Sequence, residues 1–424
     1  MGLIDNKLLK TSSIYVIANL INAVVPFILL PYLTDHLTPN SYALISLISV
    51  AISFFGPFVG FSVNNALLRR YYNDKEYNFK TYLSNCFYIL LITIICFTTI
   101  ILTIGDTISS IFIIPTETLK YILMISGTSF IHQLLLTTWR VTEKPIKYAL
   151  FQIFLTVSNL IITIYLISYF DLDWEGRILG WVISNSFLAL ISIIYLWSNG
   201  YLFKKITKKY ILDAIQFSIP LIPHVIGALL FGVFSRLIVG KVLSVKEVGI
   251  FSVSYQFASI LGVVFAAFNT AFVPWLFNKL KSENVNNKYL VNTSYKLMGI
   301  FVLTTIIGYV SIQIAFPYIV NEKFAEAKNN IFFLLLSFMC NGLYYLVANY
   351  IFYKEKNKYL AYSTGAIGLI HIPICFFLTK YFGLYGTSLA NFISYFLLFL
   401  LTWKISNSVY PMPWFGLKIN KTKN

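Results

Sequence analysis

KEKNKYLA, residues 354–361, is a charged knot between two long apolar runs, and TEKPIKYA, residues 142–149, repeats it 212 positions earlier. Glu143 falls on Glu355, Lys144 on Lys356 and Ala149 on Ala361. At the same offset Tyr169-Phe170 falls on Tyr381-Phe382 and Leu172 on Leu384, with Gly176 and Gly386 following at nearly the same place. At an offset of 206, LTPNSYALISL (37–47) aligns with LSVKEVGIFSV (243–253), placing Ser46 on Ser252, and at 205 Asn64-Asn65-Ala66 falls on Asn269-Thr270-Ala271. Each match is weak alone in so biased a composition. Their common order and nearly constant offset point to a duplication of half the chain.

The 424 residues are 58% hydrophobic and 11% charged, with a mean hydropathy of +0.75. A soluble chain carries about 25% charged residues, so this composition indicates a polytopic membrane protein. The 32 Lys and Arg against 16 Asp and Glu do not point to nucleic acid, because the bases sit in short connectors and not on a soluble face. Cys86, Cys96, Cys340 and Cys375 all lie in apolar runs without metal-ligand spacing, and read as small packing residues. The N-terminal MGLIDN fits neither a cleavable signal nor a myristoylation pattern. Neither a metal nor another cofactor is expected.

A membrane helix needs about 20 apolar residues. Twelve such runs lie near 12–34, 41–66, 82–104, 118–138, 147–168, 176–197, 213–240, 247–276, 293–319, 329–352, 359–379 and 384–404. They are too long and continuous for barrel strands. With the N-terminus inside, 24 of the 32 bases fall in inner segments. Seven, including Lys120 and Arg177, fall in outer loops and their edges, and Arg236 is in a span. That bias predicts that both termini face the cytoplasm. Outer connectors such as TDHLTPN and FDLDWEG leave no room for an external domain.

Six spans per repeat means both copies enter the membrane in the same direction, as in one class of secondary transporters. The expected fold is all-α: twelve transmembrane helices in two parallel six-helix lobes around a central cavity. The expected domains are an N-terminal lobe (1–198), a cytoplasmic interfacial linker (199–212), a C-terminal lobe (213–406) and a cytoplasmic tail (407–424). The basic, amphipathic NGYLFKKITKKYILDAI (199–215) supplies the linker.

CNGLYYLVANYIFYKEKNKYLAYSTG (340–365), FGLYGTSLANFISY (382–395), LSVKEVGIFSVSYQF (243–257) and FNTAFVPWLFNKL (268–280) resemble the polysaccharide-export branch of the multidrug/oligosaccharidyl-lipid/polysaccharide exporter superfamily. Bacterial O-antigen flippases are the nearest likeness, which covers most of the chain. These are hydropathy and spacing motifs, so they speak to family more than to substrate. The resemblance implies a twelve-span transporter in the inner membrane, not an enzyme. It would move an undecaprenyl-diphosphate-linked oligosaccharide by alternating access. Its implied partners are that substrate, membrane lipid and other polysaccharide-assembly membrane proteins.

Such a substrate needs polar groups for the sugar and cations for the diphosphate, and polar residues at membrane depth usually face a cavity. Arg236, in FGVFSRLIVG, is either an anion contact or a snorkelling arginine. Arg69 and Arg70 either receive the diphosphate or anchor span two at the inner face. Asn19, Asn22, Asn64, Asn65 and Asn269 either bind sugar hydroxyls or bridge helices. His224 is the candidate for ion coupling, with His132 and His371 behind it; each could instead donate to a neighbouring carbonyl. Asp213 either pairs with a lysine or stabilises a helix start. Pro26 and Pro31 in span one, with Pro220 and Pro223 in span seven, are the expected hinges. Trp174, Trp181 and Trp414 read as interfacial belt residues. The alternatives are a cation-coupled multidrug exporter, which would want carboxylates within the spans, and a membrane polymerase or ligase, which would want a large external loop. A scaffold would not need a duplicated bundle.

Overall fold

The computed structural model describes residues 6–73, 77–282 and 285–414, which form thirteen α-helices linked by short turns, with no strand among them. The helices are α1 (Asn6–His36), α2 (Pro39–Phe55), α3 (Asn64–Asn73), α4 (Phe79–Phe112), α5 (Thr118–Val141), α6 (Pro145–Phe170) and α7 (Trp174–Ser198). Then follow α8 (Lys208–Ser218), α9 (Ile222–Val242), α10 (Val245–Leu280), α11 (Asn287–Ile319), α12 (Ala327–Tyr353) and α13 (Asn357–Val409).

Among the described residues nine helical stretches are long and apolar enough to cross a bilayer, or ten when Pro39–Phe55 and Val59–Tyr71 count as one bent span. α13 counts once in that number but is two spans. Its 53 residues would run to about 80 Å as a straight helix. Gly383 breaks it, with φ 60° and ψ −144°. Beyond the break the arms run back along each other: Thr379 meets Thr387 at 2.8 Å and His371 meets Ser394 at 2.9 Å. The arms close so tightly that a Cβ on Gly386 would lie 1.9 Å from the Leu378 carbonyl oxygen. With α13 divided and the 31-residue α1 included, the described helices supply the twelve spans expected.

The duplication is written in the backbone. Both charged knots end a helix in the same way: Glu143 and Glu355 take left-handed φ of 51° and 56°. The amides of Lys144 and Lys356 reach back to the Trp139 and Ile351 carbonyls at 2.8 and 3.1 Å, closing the same helix-terminating ring. Thr38 caps α2 by accepting from the Ser41 amide at 3.1 Å, and 206 residues later Ser244 caps α10 by accepting from the Glu247 amide at 3.2 Å. Asn78 and Asn286 cap α4 and α11 alike.

Polarity is arranged for lipid. Leu102 and Tyr318 are 81% and 87% exposed, whereas Thr34, Ser84, Ser192, Thr379 and Ser394 are wholly buried. Hydroxyls that face in bond backbone carbonyls, Ser192 to Leu188 and Thr34 to Pro31.

The chain divides into two compact units, Met1–Leu229 and Leu230–Asn424. That division falls inside α9, beyond the 199–212 stretch expected to link two lobes. The reason is that the connector is clasped by the first unit. Ser84 accepts from the Lys204 amide at 2.9 Å, the Asn85 side chain bonds the Lys205 carbonyl and the Thr207 amide, and Tyr88 donates to the Lys204 carbonyl. Two spans differ from their expected form. Span two is interrupted between α2 and α3, and span seven passes through a 3-10 turn, Ile219–Leu221, that holds Pro220. α1 stays one helix through Pro26 and Pro31.

Candidate functional site

Within the first unit a polar cavity of about 310 Å³ lies among α1, α5, α6 and α7. Gln152, Thr156 and Asn159 recur at i, i+4 and i+7, so they share one face of α6 and line it. Ser129, His132, Gln133 and Leu136 do the same on α5. Asn22 of α1 ties across: its amide donates to Gln152 Oε1 at 3.1 Å, and its carbonyl oxygen accepts from Thr156 Oγ1 at 2.6 Å. On α7, Arg177 donates through Nη1 to Asn159 Oδ1 and, at 3.0 Å, to Thr163 Oγ1, with its guanidinium 5.4 Å from the Trp181 ring. Among the described residues the lining mixes apolar side chains such as Val25, Leu29 and Leu155 with amides, hydroxyls, one histidine and one guanidinium, and holds no carboxylate. His132 donates Nε2–H to the Asn185 carbonyl at 3.1 Å and so is held as a helix-bridging donor.

A second cavity, of about 240 Å³, adjoins the first through Ser129 and Gln133, and is bounded by the interrupted stretch of span two.

Of the residues singled out in the sequence, Asn22 and Pro26 line the larger cavity and Asn64 the smaller. Asn65 is exposed and borders neither. The side chains of Asn19, Pro223 and His224 lie outside the described residues. Arg69 is exposed, its guanidinium 4.8 Å from the Phe217 ring. Arg70 is engaged otherwise than as an open anion receptor: it binds Asp213 with two hydrogen bonds, and Tyr82 donates to the same carboxylate at 2.8 Å. The partner of Asp213 is therefore an arginine of span two, not a lysine. Arg236 lies in the second unit, half-buried between α9 and α10; Nε donates to Ser252 Oγ at 3.2 Å and Nη1 to the Gly232 carbonyl at 2.9 Å. Tyr255 lies under that guanidinium at 4.5 Å. Asn269 bridges helices, accepting from the Asn349 amide at 2.8 Å.

Arg177 belongs to the cavity, not to an outer loop edge, and Trp181 does more than mark an interface. Both were missed because their place in the chain, just after FDLDWEG, says nothing of how far α7 leans inward. The usable signal was the face shared by Gln152, Thr156 and Asn159.

The second unit carries a corresponding cluster. His371 stands 212 residues beyond Asn159, and Ser394 stands 210 beyond Ser184. Each pair is hydrogen-bonded, His371 to Ser394 at 2.9 Å and Asn159 to Ser184 at 3.2 Å. In the second unit Ser235 of α9 joins the cluster, meeting His371 Nε2 at 3.1 Å and accepting from the Asn391 amide at 2.8 Å. Cys375 sits inside this network beside Thr379 at 3.7 Å, so it is not a purely apolar packing residue.

The sequence profile of the polysaccharide biosynthesis protein family matches residues 8–281 of this chain. A membrane protein of Haemophilus influenzae is 27% identical over 371 residues, covering 86% of this chain and 89% of that protein. Among solved structures, the fold is shared with an inward-facing multidrug resistance MATE family transporter of the MOP superfamily. Its TM-score is 0.70 at 13% identity, over 92% of this chain and 93% of that one. The lipid II flippase MurJ gives a TM-score of 0.69 at 14% identity, over 93% of this chain and 86% of that one.

Proposed function

The chain belongs to the polysaccharide biosynthesis protein family, and from that premise we propose that it is a flippase for a lipid-linked oligosaccharide. It turns an undecaprenyl-diphosphate-linked repeat unit, such as an O-antigen unit, from the cytoplasmic to the outer leaflet of a bacterial inner membrane, with both termini in the cytoplasm. A membrane transporter is what the family and the shared fold support; the substrate is our reading. It rests on one observation, the cavity of the first unit whose lining brings together amides, hydroxyls and the Arg177 guanidinium.

Amides and hydroxyls on α1, α5 and α6 offer paired donors and acceptors to sugar hydroxyls, and Arg177 offers a planar fork that fits a phosphate. A cavity for a cationic drug or a coupling cation would want carboxylates, and the described lining has none. Removing sugar and diphosphate from water costs free energy unless each polar group finds a partner. The lining supplies such partners, while the lipid tail stays in the bilayer. Alternating access would then carry the headgroup across, with Pro220 in its 3-10 turn as a bending point of span seven.

The test is a gene deletion followed by quantitation of lipid-linked repeat units in the cytoplasmic leaflet. We expect these units to accumulate and surface polysaccharide to fall, with both restored by the wild-type gene. Lipid-linked pools that do not change on deletion would overturn the proposal.

A further inference from the structure

α5 leads into the first charged knot and α6 leads out of it, and Leu136 of one and Gln152 of the other line the larger cavity. One turn nearer the knot stand Arg140 and Tyr148. Arg140 donates through Nη2 to Tyr148 Oη at 3.2 Å, with its guanidinium 5.6 Å from the ring, and Gln152 Nε2 donates to the same oxygen at 3.3 Å. Tyr148 is 4% exposed, while Arg140 is open to the surface. From Gln152 the bonds continue into the cavity through Asn22 to Thr156. A polar path thus runs along α6 from Arg140 at the knot to Asn159 and Thr163, where Arg177 is bonded. Positions 148 and 159 are eleven residues apart, about 16 Å along a helix, so one phosphate cannot touch both arginines.

The fold itself does not require this pair. The second knot repeats the turn 212 residues later, with the same left-handed glutamate and the same returning lysine amide. There Phe352 stands in place of Arg140 and Leu360 in place of Tyr148, with Leu360 1% exposed. An apolar side chain therefore meets the packing need, and burying a phenol beside an arginine calls for another reason. Positive charge at the membrane edge is not that reason, because Lys354, Lys356 and Lys358 supply it at the second knot without an arginine. What arginine adds is a planar fork that meets two oxygens of one phosphate. Among the described residues no carboxylate lies within 4 Å of the Arg140 guanidinium, and the exposed Lys144 and Lys147 follow it in the chain. Basic groups gathered between membrane helices at one face suit an anionic headgroup.

We propose that Arg140, held by Tyr148, is an anion subsite at the first knot, which receives a phosphate group of the lipid-linked substrate before the headgroup passes along α6 toward Arg177. The proposal rests on the glycan-transport reading and adds the point of entry and the residues that make it.

The test uses the full-length protein in phosphatidylcholine nanodiscs. Acetylation of its lysines by sulfo-N-hydroxysuccinimidyl acetate is followed by mass spectrometry, with geranylgeranyl diphosphate as the probe and geranylgeraniol as its uncharged control. The diphosphate at about ten times its Kd should slow acetylation of Lys144 and Lys147 about tenfold, by occupancy, and leave Lys354, Lys356 and Lys358 at the second knot unchanged. Arg140→Gln should weaken the apparent affinity about tenfold or more, through the loss of a charge-assisted hydrogen bond, while keeping the thermal midpoint. Arg140→Lys should fall between, and serves alone should the first variant not fold. Equal protection at both knots, protection by geranylgeraniol, no protection, or unchanged affinity in these variants would each overturn the proposal. Nanodiscs of phosphatidylglycerol separate the two sources of phosphate: protection by that lipid without the diphosphate would assign the subsite to the bilayer and overturn the proposal too. Unchanged lipid-linked pools in the deletion strain would remove the transport reading, whereas protection at Lys144 and Lys147 reports on the subsite itself.

Discussion

Replacing Arg177 with methionine should cut transport while leaving the fold in place, because the two losses differ in kind. The guanidinium donates to Asn159 Oδ1 and Thr163 Oγ1 and lies over Trp181. Asn159 lines the cavity and keeps its bond to Ser184, so the wholly buried Thr163 is the acceptor left stranded, at roughly 1–3 kcal/mol. Removing a charge from within a span returns roughly 2.5–3.5 kcal/mol on insertion scales. The two nearly cancel, so thermal stability should move little. A diphosphate loses one charge-assisted hydrogen bond or more, about 1.5–3 kcal/mol each, which is roughly 10- to 150-fold in affinity. Arg177→Lys keeps the charge but not the fork, and should fall between. The assay is complementation of the deletion strain, reading surface polysaccharide, lipid-linked pools and protein abundance together. A well-expressed Arg177→Met protein with wild-type flux would refute the assignment of Arg177 to substrate.

Asp213→Asn should loosen α8 from α3 at a cost of about 2 kcal/mol, since it removes the charge from a two-bond ion pair only 18% exposed on each side; a lower thermal midpoint is the readout. Asn269→Leu should destabilise by about 0.6 kcal/mol, the mean for a hydrogen bond between membrane helices, and adding Asn349→Leu should recover it in a thermal-shift cycle. Arg236→Ala should lower surface polysaccharide and thermal midpoint together, because the side chain pins α9 to α10; undiminished polysaccharide would take Arg236 out of the transport path. His371→Asn, which installs the amide found at the corresponding position 159, should retain most of the thermal midpoint, whereas His371→Leu strands Ser235 and Ser394 and should lose about 1–3 kcal/mol.

The spans were legible because lipid imposes a length and a polarity that hydropathy reads directly. The repeat was legible because helix ends need particular residues: Thr38 and Ser244 as caps, Glu143 and Glu355 at left-handed positions. The break in span two was not. FFGPFVGFS is apolar throughout, so the run from 41 to 66 looks unbroken although Gly56, Pro57 and Gly60 interrupt it. Candidate site residues were legible in kind and not in place. Asn22 and Asn64 face cavities, but Asn269 faces another asparagine, and Arg70 was spoken for by an aspartate 143 residues away. One-dimensional spacing gives the face of a helix, and only packing says what that face meets.

Equivalent positions of the repeat have diverged in how they are bonded. In the first unit Asn159, Thr163, Ser184 and Arg177 surround or border a space, and Leu29 of α1 lines it where α9 has Ser235, 206 residues on. A leucine there offers no hydrogen bond, and Asn159, Thr156 and Gln152 bond Ser184, Arg177 and Asn22 instead. A serine at 235 bonds His371 and Asn391 directly. One position in a duplicated scaffold thus separates a cluster tied through α9 from one tied through Asn22 of α1 and Arg177 of α7. The second arrangement is fully hydrogen-bonded apart from Asn391 Oδ1 and Ser388 among the described residues of that cluster, and satisfied buried networks are rigid.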